Sequence, residues 1–182
     1  PDSRIDILLE DWVVPLLEGH PAVHNVIAVP RSRQGRLRMA AALRKASYDV
    51  AINLHGGTTS TFLTRATGAG HRIGYSGYQY SFFYTSTLSS SSEFWGRAHT
   101  HSAEQQLALA GFAGVPVSHQ PPSSLPFDER AEESISRLLS GLGPAGTEGR
   151  ELALIHPAAS PFTKQWETGR FADGAKHLID RG

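Results

Sequence analysis

The sequence predicts an α/β fold, a Rossmann-like parallel sheet with helices on both faces. Three observations carry that expectation. Apolar runs of strand length alternate with stretches of helical spacing along the chain, the pattern of a doubly wound parallel sheet. One run, YDVAINLH, reads as buried on both faces, as parallel strands usually are. Two stretches rich in small or polar residues, HGGTTS and HPAASPFTK, follow apolar runs at the place where such sheets hold ligands, beyond the carboxyl ends of strands. Both are expected to border one cleft.

In chain order, RIDILL from Arg4 reads as a compact strand. DWVVPLLEGHP reads as a short helix, with Asp11 as its cap and Gly19 and Pro21 as stop signals. HNVIAVP is the next strand. GRLRMAAALRKASY is a helix whose apolar residues Leu37, Ala40, Ala41 and Leu43 follow helical spacing. After the YDVAINLH strand, TTSTFLTRATGAG is a helix with Thr58 or Thr59 near its cap and Gly68 or Gly70 at its end. HRIGY is a short strand. The serine- and aromatic-rich run from Ser76 to Ser102 reads as a loop with one short strand near Ser81 to Thr85, mobile around Ser89 to Ser92. AEQQLALAGFAG is a helix, and SHQPPSSLPF is a proline-rich domain boundary. DERAEESISRLLSGLG is an amphipathic helix with acids in its first turn. GPAGTEGR is a joint, ELALI a fresh strand and ETGRFADGAKHLIDRG a fresh helix.

Composition narrows the function classes. The chain has 182 residues, 40% of them apolar and 19% charged, with a formal net charge of zero. That balance argues against broad nucleic-acid binding. With no cysteine, disulfides, thiolate nucleophiles and cysteine metal sites are excluded. No apolar run approaches the ~20 residues of a membrane span, and the opening residues read as the interior of a fold rather than a signal peptide.

The stretch IHPAASPFTKQW has the chemistry of an anion site. Small side chains at Ala158, Ala159 and Ser160 let an anion approach the backbone, and N–H groups at a following helix start would point at it. Ser160 and Thr163 add hydroxyls and Lys164 a full positive charge, a set that a diphosphate would satisfy. The spacing is not that of a P-loop. The plainer reading is a turn with a solvated lysine. At the other loop, His55 reads as an acceptor contact, or as a histidine that holds Gly56 and Gly57 in a turn. His99, His101 and Glu104 do not make a metal site, because alternate residues at a helix start do not face one another. Arg31, Arg33, Arg36 and Arg38 form a basic cluster, readable as solvated or as a contact for anionic lipid.

The segment HPAASPFTKQWETGRFADGAKHLI resembles the start of the donor domain in family 9 glycosyltransferases, the ADP-heptose:lipopolysaccharide heptosyltransferases. There the pattern is His-Pro-Gly-Ala, then Lys-x-Trp-Pro, then a helix with Phe and Leu; His156, Pro157, Lys164, Trp166 and Phe171 fit it. RIDILLEDWVVPLLEGHPAVHNVIAVP resembles the family's second strand, helix and third strand, and YDVAINLHGGTTSTFLTRATGAGHRIGY its strand, His-Gly loop, helix and Arg-x-Gly strand. HSAEQQLALAGFAG resembles the helix leading to the domain linker. Ala158, Gln165 and Glu167 stand where the family usually has glycine, arginine and proline, and Thr59 where an arginine often precedes serine.

The resemblance implies the N-terminal domain of a GT-B glycosyltransferase plus the start of its second domain. Residues 1–120 would be most of the acceptor-side domain, 121–150 a linker and connecting helix, and 151–182 the start of the nucleotide-sugar donor domain. It implies inverting, metal-independent transfer of heptose from ADP-heptose, a substrate and not a cofactor, to the lipopolysaccharide core. Ala159, Ser160, Thr163 and Lys164 would hold the donor diphosphate, with Lys164 stabilising the leaving group. His55, Gly56, Gly57, Thr58 and His101 would lie on the acceptor side. The family's first strand and the loop carrying its general base would precede Pro1, and most of the donor domain would follow Gly182, so the chain alone is expected to be inactive. A cytoplasmic protein is implied, with peripheral inner-membrane contact through Arg31, Arg33, Arg36 and Arg38. A non-catalytic Rossmann-type nucleotide-binding module is the alternative, and an interaction domain a further one. A serine hydrolase is excluded, since no Gly-x-Ser-x-Gly elbow is present.

Overall fold

The computed structural model of the protein describes residues 3–117, 124–141, 153–159 and 162–181. The chain divides into two compact units, Pro1–Pro126 and Phe127–Gly182. In the first, β1 (Asp6–Glu10) pairs in parallel with β2 (Asn25–Val29), Asp6 opposite Asn25 and Glu10 opposite Val29. The connection between them is not the helix its sequence suggests but a single 3-10 turn, Val14–Leu16. Pro15 brings no N–H to continue a ladder. Asp11 spends its carboxylate on the adjacent Trp12 N–H (2.9 Å) and on Arg31 (2.9 Å), and so caps no helix.

The first long helix, α1 (Arg33–Lys45), starts two residues before the expected stretch, at Arg33 rather than Gly35, because the Ser32 hydroxyl accepts from the Gly35 N–H at 3.1 Å. Its inward face also differs. Leu43 is buried and Met39 and Ala40 half-buried, whereas Leu37 and Ala41, one turn apart on a neighbouring face, are exposed.

Three further strands, β3 (Val50–Ile52), β4 (His71–Tyr75) and β5 (Ser86–Leu88), pair in parallel in that order. Helix α2 (Thr58–Thr67) crosses from β3 to β4 and ends at Gly68, whose φ of 66° gives the left-handed cap. Helix α4 (Ser102–Phe112) brings Ala108 and Leu109, both fully buried, against Ile73 and Leu88; Ile52, Tyr75, Phe94 and Trp95 close around this core.

The strands thus form two hydrogen-bonded groups, β1-β2 and β3-β4-β5, rather than one continuous sheet. Side chains tie the groups together where backbone does not: the Tyr48 hydroxyl, just before β3, donates to Asp6 at 2.7 Å. Burial pushes the Tyr48 phenol up to about 12, with the Asp6 contact adding to it. Burial also pushes Asp6 up, but hydrogen bonds from Tyr48, Asn25 and Arg4 outweigh it and hold the carboxyl below its ordinary range. The expectation that β3 is buried on both faces does not hold: Val50 is 46% exposed and Ala51 and Ile52 are half-buried.

The serine-rich middle is more ordered than its composition suggests. Ser81–Phe83 is a 3-10 turn, and the strand lies after it, at β5. The run expected to be mobile is helix α3 (Ser91–Trp95), capped by the Ser90 hydroxyl accepting from the Glu93 N–H at 3.1 Å. Phe94 and Trp95 anchor it to the core. Serine three residues before glutamate is a helix-start signature, and it outweighs the low helix preference of serine.

In the second unit, α5 (Glu129–Ser140) is capped by Asp128, whose carboxylate accepts from the Arg130 and Ala131 N–H groups. A 3-10 turn, Phe162–Lys164, precedes α6 (Thr168–Arg181). The strand expected over ELALI is absent where the chain is described: residues 153–155 have no strand pairing. A strand's backbone bonds come from a neighbouring strand, and the described residues of this unit contain no other.

Candidate functional site

The turn after β3 is built on Asn53, which directly follows the strand and is 3% exposed. Its side-chain oxygen accepts from the N–H groups of His55 (3.1 Å) and Gly56 (3.2 Å), the bonding that turns a chain out of a strand. Its side-chain nitrogen donates to the Tyr84 hydroxyl (2.7 Å) and the Thr61 hydroxyl (3.3 Å), and those two hydroxyls lie 2.9 Å apart. Asn53, Thr61 and Tyr84 thus make a closed buried triangle from β3, α2 and the segment before β5. Among the described residues, no buried side-chain nitrogen or oxygen lacks a partner.

The rest of the turn follows from that anchor. Gly56 has φ 74°, and a Cβ there would sit 2.3 Å from the Tyr78 ring. Tyr78 therefore closes directly onto the turn, and burial, with Tyr75 and Tyr84 nearby, pushes its phenol up to about 12. The exposed His55 ring lies over Gly57, which caps α2 through its backbone. Thr58 donates to the Gln79 side chain at 2.6 Å and Ser60 to the Gly57 carbonyl at 2.8 Å. Arg36, held by the Pro30 carbonyl (2.9 Å), reaches the Thr59 hydroxyl at 3.3 Å and so brings a guanidinium from α1 to the first turn of α2.

The expected acceptor-side residues His55, Gly56, Gly57 and Thr58 are thus in one turn at the carboxyl end of a parallel strand. His101 lies in another element: its Nδ1 accepts from the Ala103 N–H (3.2 Å), its own N–H donates to Glu104 (2.8 Å), and together they form the capping box of α4. That N–H, followed by Arg97, holds the Glu104 carboxyl below its ordinary range against the opposing effect of burial. Among the described residues no three His, Asp or Glu side chains converge as metal ligands would. Of the basic cluster, Arg31 pairs with Asp11 at 2.9 Å and Arg36 is engaged as above. Among the described residues no helix is long and apolar enough to cross a membrane.

In the second unit, Thr163 and Lys164 end the 3-10 turn Phe162–Lys164 with exposed side chains. The turn is closed by the Gln165 N–H donating to the Phe162 carbonyl (3.0 Å), and the Gln165 side chain donates to the Ala159 carbonyl at 2.8 Å. Ala159, Thr163 and Lys164 are therefore held within one short loop. Trp166 packs edge-on against Phe171, ring centres 5.2 Å apart, which fixes the loop's exit into α6. Ser160 lies outside the described residues. Because residues 153–155 are not a strand, this loop does not follow a strand end among the described residues.

Asn53, Thr61 and Tyr84 are not among the residues that the sequence nominates for the site. The signal was there: an asparagine ending an apolar strand two residues before a histidine–glycine pair is a turn-forming residue by its side-chain chemistry.

Comparison with known proteins adds the wider frame. The profile of glycosyltransferase family 9 (heptosyltransferase) matches residues 36–182. A lipooligosaccharide heptosyltransferase 2 from Haemophilus ducreyi is 27% identical over all of this chain and 53% of its own length. A lipopolysaccharide heptosyltransferase 3 from Escherichia coli is 23% identical, again over 53% of that protein. Among solved structures, a family 9 glycosyl transferase from Veillonella parvula superposes with a TM-score of 0.75 at 19% identity, over 97% of this chain and 50% of that one. The Escherichia coli ADP-heptose lipopolysaccharide heptosyltransferase II superposes with a TM-score of 0.61 at 24% identity, over 100% and 54%. A further Escherichia coli heptosyltransferase, solved with ADP, does so with a TM-score of 0.61 at 21% identity. The chain spans about half the length of the curated relatives it matches.

Proposed function

We propose a function from one premise, that this chain belongs to glycosyltransferase family 9: the protein transfers heptose from ADP-heptose to a sugar hydroxyl of the lipopolysaccharide core, with inversion and without a metal. The observation that carries the proposal is the reach of the family match, residues 36–182, which takes in both the His55–Thr58 turn and the Ala159–Lys164 loop. As the bond from the sugar to the diphosphate breaks, negative charge grows on the leaving group, and preorganised donors lower the barrier most when aimed at that charge. Lys164, with Thr163, Ser160 and the Ala159 backbone, takes that role. His55, Gly56, Gly57 and Thr58 take the acceptor side, with His101 further along the same side. The rigidity of the first turn supports the assignment, since a reacting hydroxyl must be held in line. Arg36 supports it too, by supplying a cation at Thr59, where the family often carries arginine. Arg31, Arg33, Arg36 and Arg38 are exposed residues, and we assign the cluster peripheral contact with an anionic inner-membrane face.

The test is a transfer assay of the full-length protein with ADP-heptose and a heptose-deficient core acceptor, followed by mass spectrometry and NMR of the new linkage. The expected product gains one heptose with inverted anomeric configuration, and its rate is unchanged by EDTA. Retained configuration, or loss of transfer with EDTA restored by a divalent cation, would contradict the mechanism. ADP-heptose binding without transfer to any core acceptor would favour the nucleotide-binding module.

A further inference from the structure

The buried triangle of Asn53, Thr61 and Tyr84 is more than core packing, because one corner faces out of the core. The Asn53 oxygen is spent on the His55 and Gly56 N–H groups (3.1 and 3.2 Å), the turn the proposed function gives to the acceptor. The Asn53 nitrogen is spent inward, on Tyr84 (2.7 Å) and Thr61 (3.3 Å). An amide has one end that accepts and one that donates. Fixing its donor end on two hydroxyls therefore fixes which way its acceptor end points. The anchors come from different elements: Thr61 from α2, and Tyr84 from the segment that leads into β5. Tyr84 also lies against Gly74 of β4, where a Cβ would meet its ring at 2.7 Å, so the hydroxyl cannot drift along the sheet.

We propose that Asn53 is a positioning residue for the acceptor: it holds the His55–Gly56 turn in a single conformation, and Tyr84 and Thr61 set its orientation. The inference rests on the acceptor-side reading of that turn. It makes a distinction that simple core packing does not. Aspartate at 53 keeps the oxygen facing the turn, and its second oxygen can accept from the Tyr84 and Thr61 hydroxyls, which are able to donate. Alanine at 53 leaves both turn amides without their partner.

The test has two arms on wild type, Asn53→Ala, Asn53→Asp and Tyr84→Phe. The first is amide hydrogen exchange by NMR on the chain, comparing His55 and Gly56 with core amides such as Ile73. Exchange at His55 and Gly56 is expected to quicken about tenfold more than at the core in Asn53→Ala, and to recover in Asn53→Asp. The second arm is steady-state kinetics of the full-length protein. Acceptor KM is expected to rise about tenfold in Asn53→Ala and less in Tyr84→Phe, with donor KM unchanged and Asn53→Asp close to wild type. Uniform quickening of every amide in Asn53→Ala, with Asn53→Asp no better, would overturn the proposal in favour of plain core stability. Local loosening of the turn with no change in acceptor KM would overturn its functional half. Should wild type transfer nothing to any acceptor, the proposed function fails, while the exchange arm still decides whether Asn53 locks the turn.

Discussion

The turn after β3 is held by buried side chains from three elements; among the described residues, the loop from Ala159 to Lys164 has one side-chain bond, from Gln165 to the Ala159 carbonyl. In the first, Asn53 and Tyr84 are almost wholly removed from solvent, and Tyr78 closes over Gly56. In the second, Phe162 is 86% exposed, and neither α5 nor α6 buries a residue. The two loops have similar compositions, small residues with hydroxyls beside one basic side chain. Their difference shows that local chemistry nominates a ligand loop while packing decides whether it is preorganised. The first turn has its amides and hydroxyls already paired with neighbouring side chains and backbone, which fixes its shape. The second presents a cation on a segment that its own unit hardly constrains.

That contrast breaks most sharply at glycine. Gly56→Ala puts a Cβ into the Tyr78 ring at a positive φ, and the first unit should lose about 2–4 kcal/mol. Gly174→Ala, inside α6 with nothing within 4 Å, should instead stabilise its helix by about 1 kcal/mol. Chemical denaturation followed by tryptophan fluorescence and far-UV circular dichroism would read both. Equal and small effects at the two glycines would mean that the first turn is no more constrained than the second.

A smaller effect concerns acid. The Asp6 carboxyl has a folded value below its unfolded one, so it contributes stability that is fully present above the unfolded value, near pH 4. That contribution is lost as pH falls through the folded value. The acid limb of the stability curve below about pH 4 should therefore flatten in Asp6→Asn. The second unit offers no such buried carboxylate among its described residues. Its Glu167–Arg170 pair, at 3.4 Å and largely solvent-exposed, should shift stability by less than about 0.5 kcal/mol when Glu167 becomes Ala. An unchanged acid limb in Asp6→Asn would show that Tyr48 and Asn25 do not discriminate the charged carboxyl.

Much of this was legible in the residues. Alternation of apolar runs with stretches of helical spacing located β1, β2, β4, α2, α4, α5 and α6, several of them with a cap or stop residue at an end, such as Gly68 after α2 and Asp128 before α5. The failures have separate physical causes. DWVVPLLEGHP carries helical spacing but too few turns around Pro15 to close a helix. The serine run has the low helix preference of serine, but Ser90 and Glu93 form a cap. ELALI has strand composition, but a strand exists only with a neighbour, which composition does not supply. At the candidate site, the loop residues were visible because glycine, histidine and threonine stand out after an apolar run. Their anchors were not, because Tyr84 lies 31 residues from Asn53 in sequence and meets it only through the fold.

On the proposed function, the loop ending in Lys164 meets the donor diphosphate although its own unit does little to hold it. Kinetics and ADP binding of Lys164→Ala in the full-length protein test it most directly. Hydrogen bonds to charged groups are worth about 1.5–3 kcal/mol, so kcat/KM should fall roughly ten- to hundredfold or more. Lys164→Arg should restore only part of that, because the planar guanidinium needs more room than an ammonium. The thermal midpoint should stay at the wild-type value, since the side chain is exposed. A Lys164→Ala protein with wild-type kcat/KM and wild-type ADP affinity would show the lysine to be a solvated turn residue and would contradict the account.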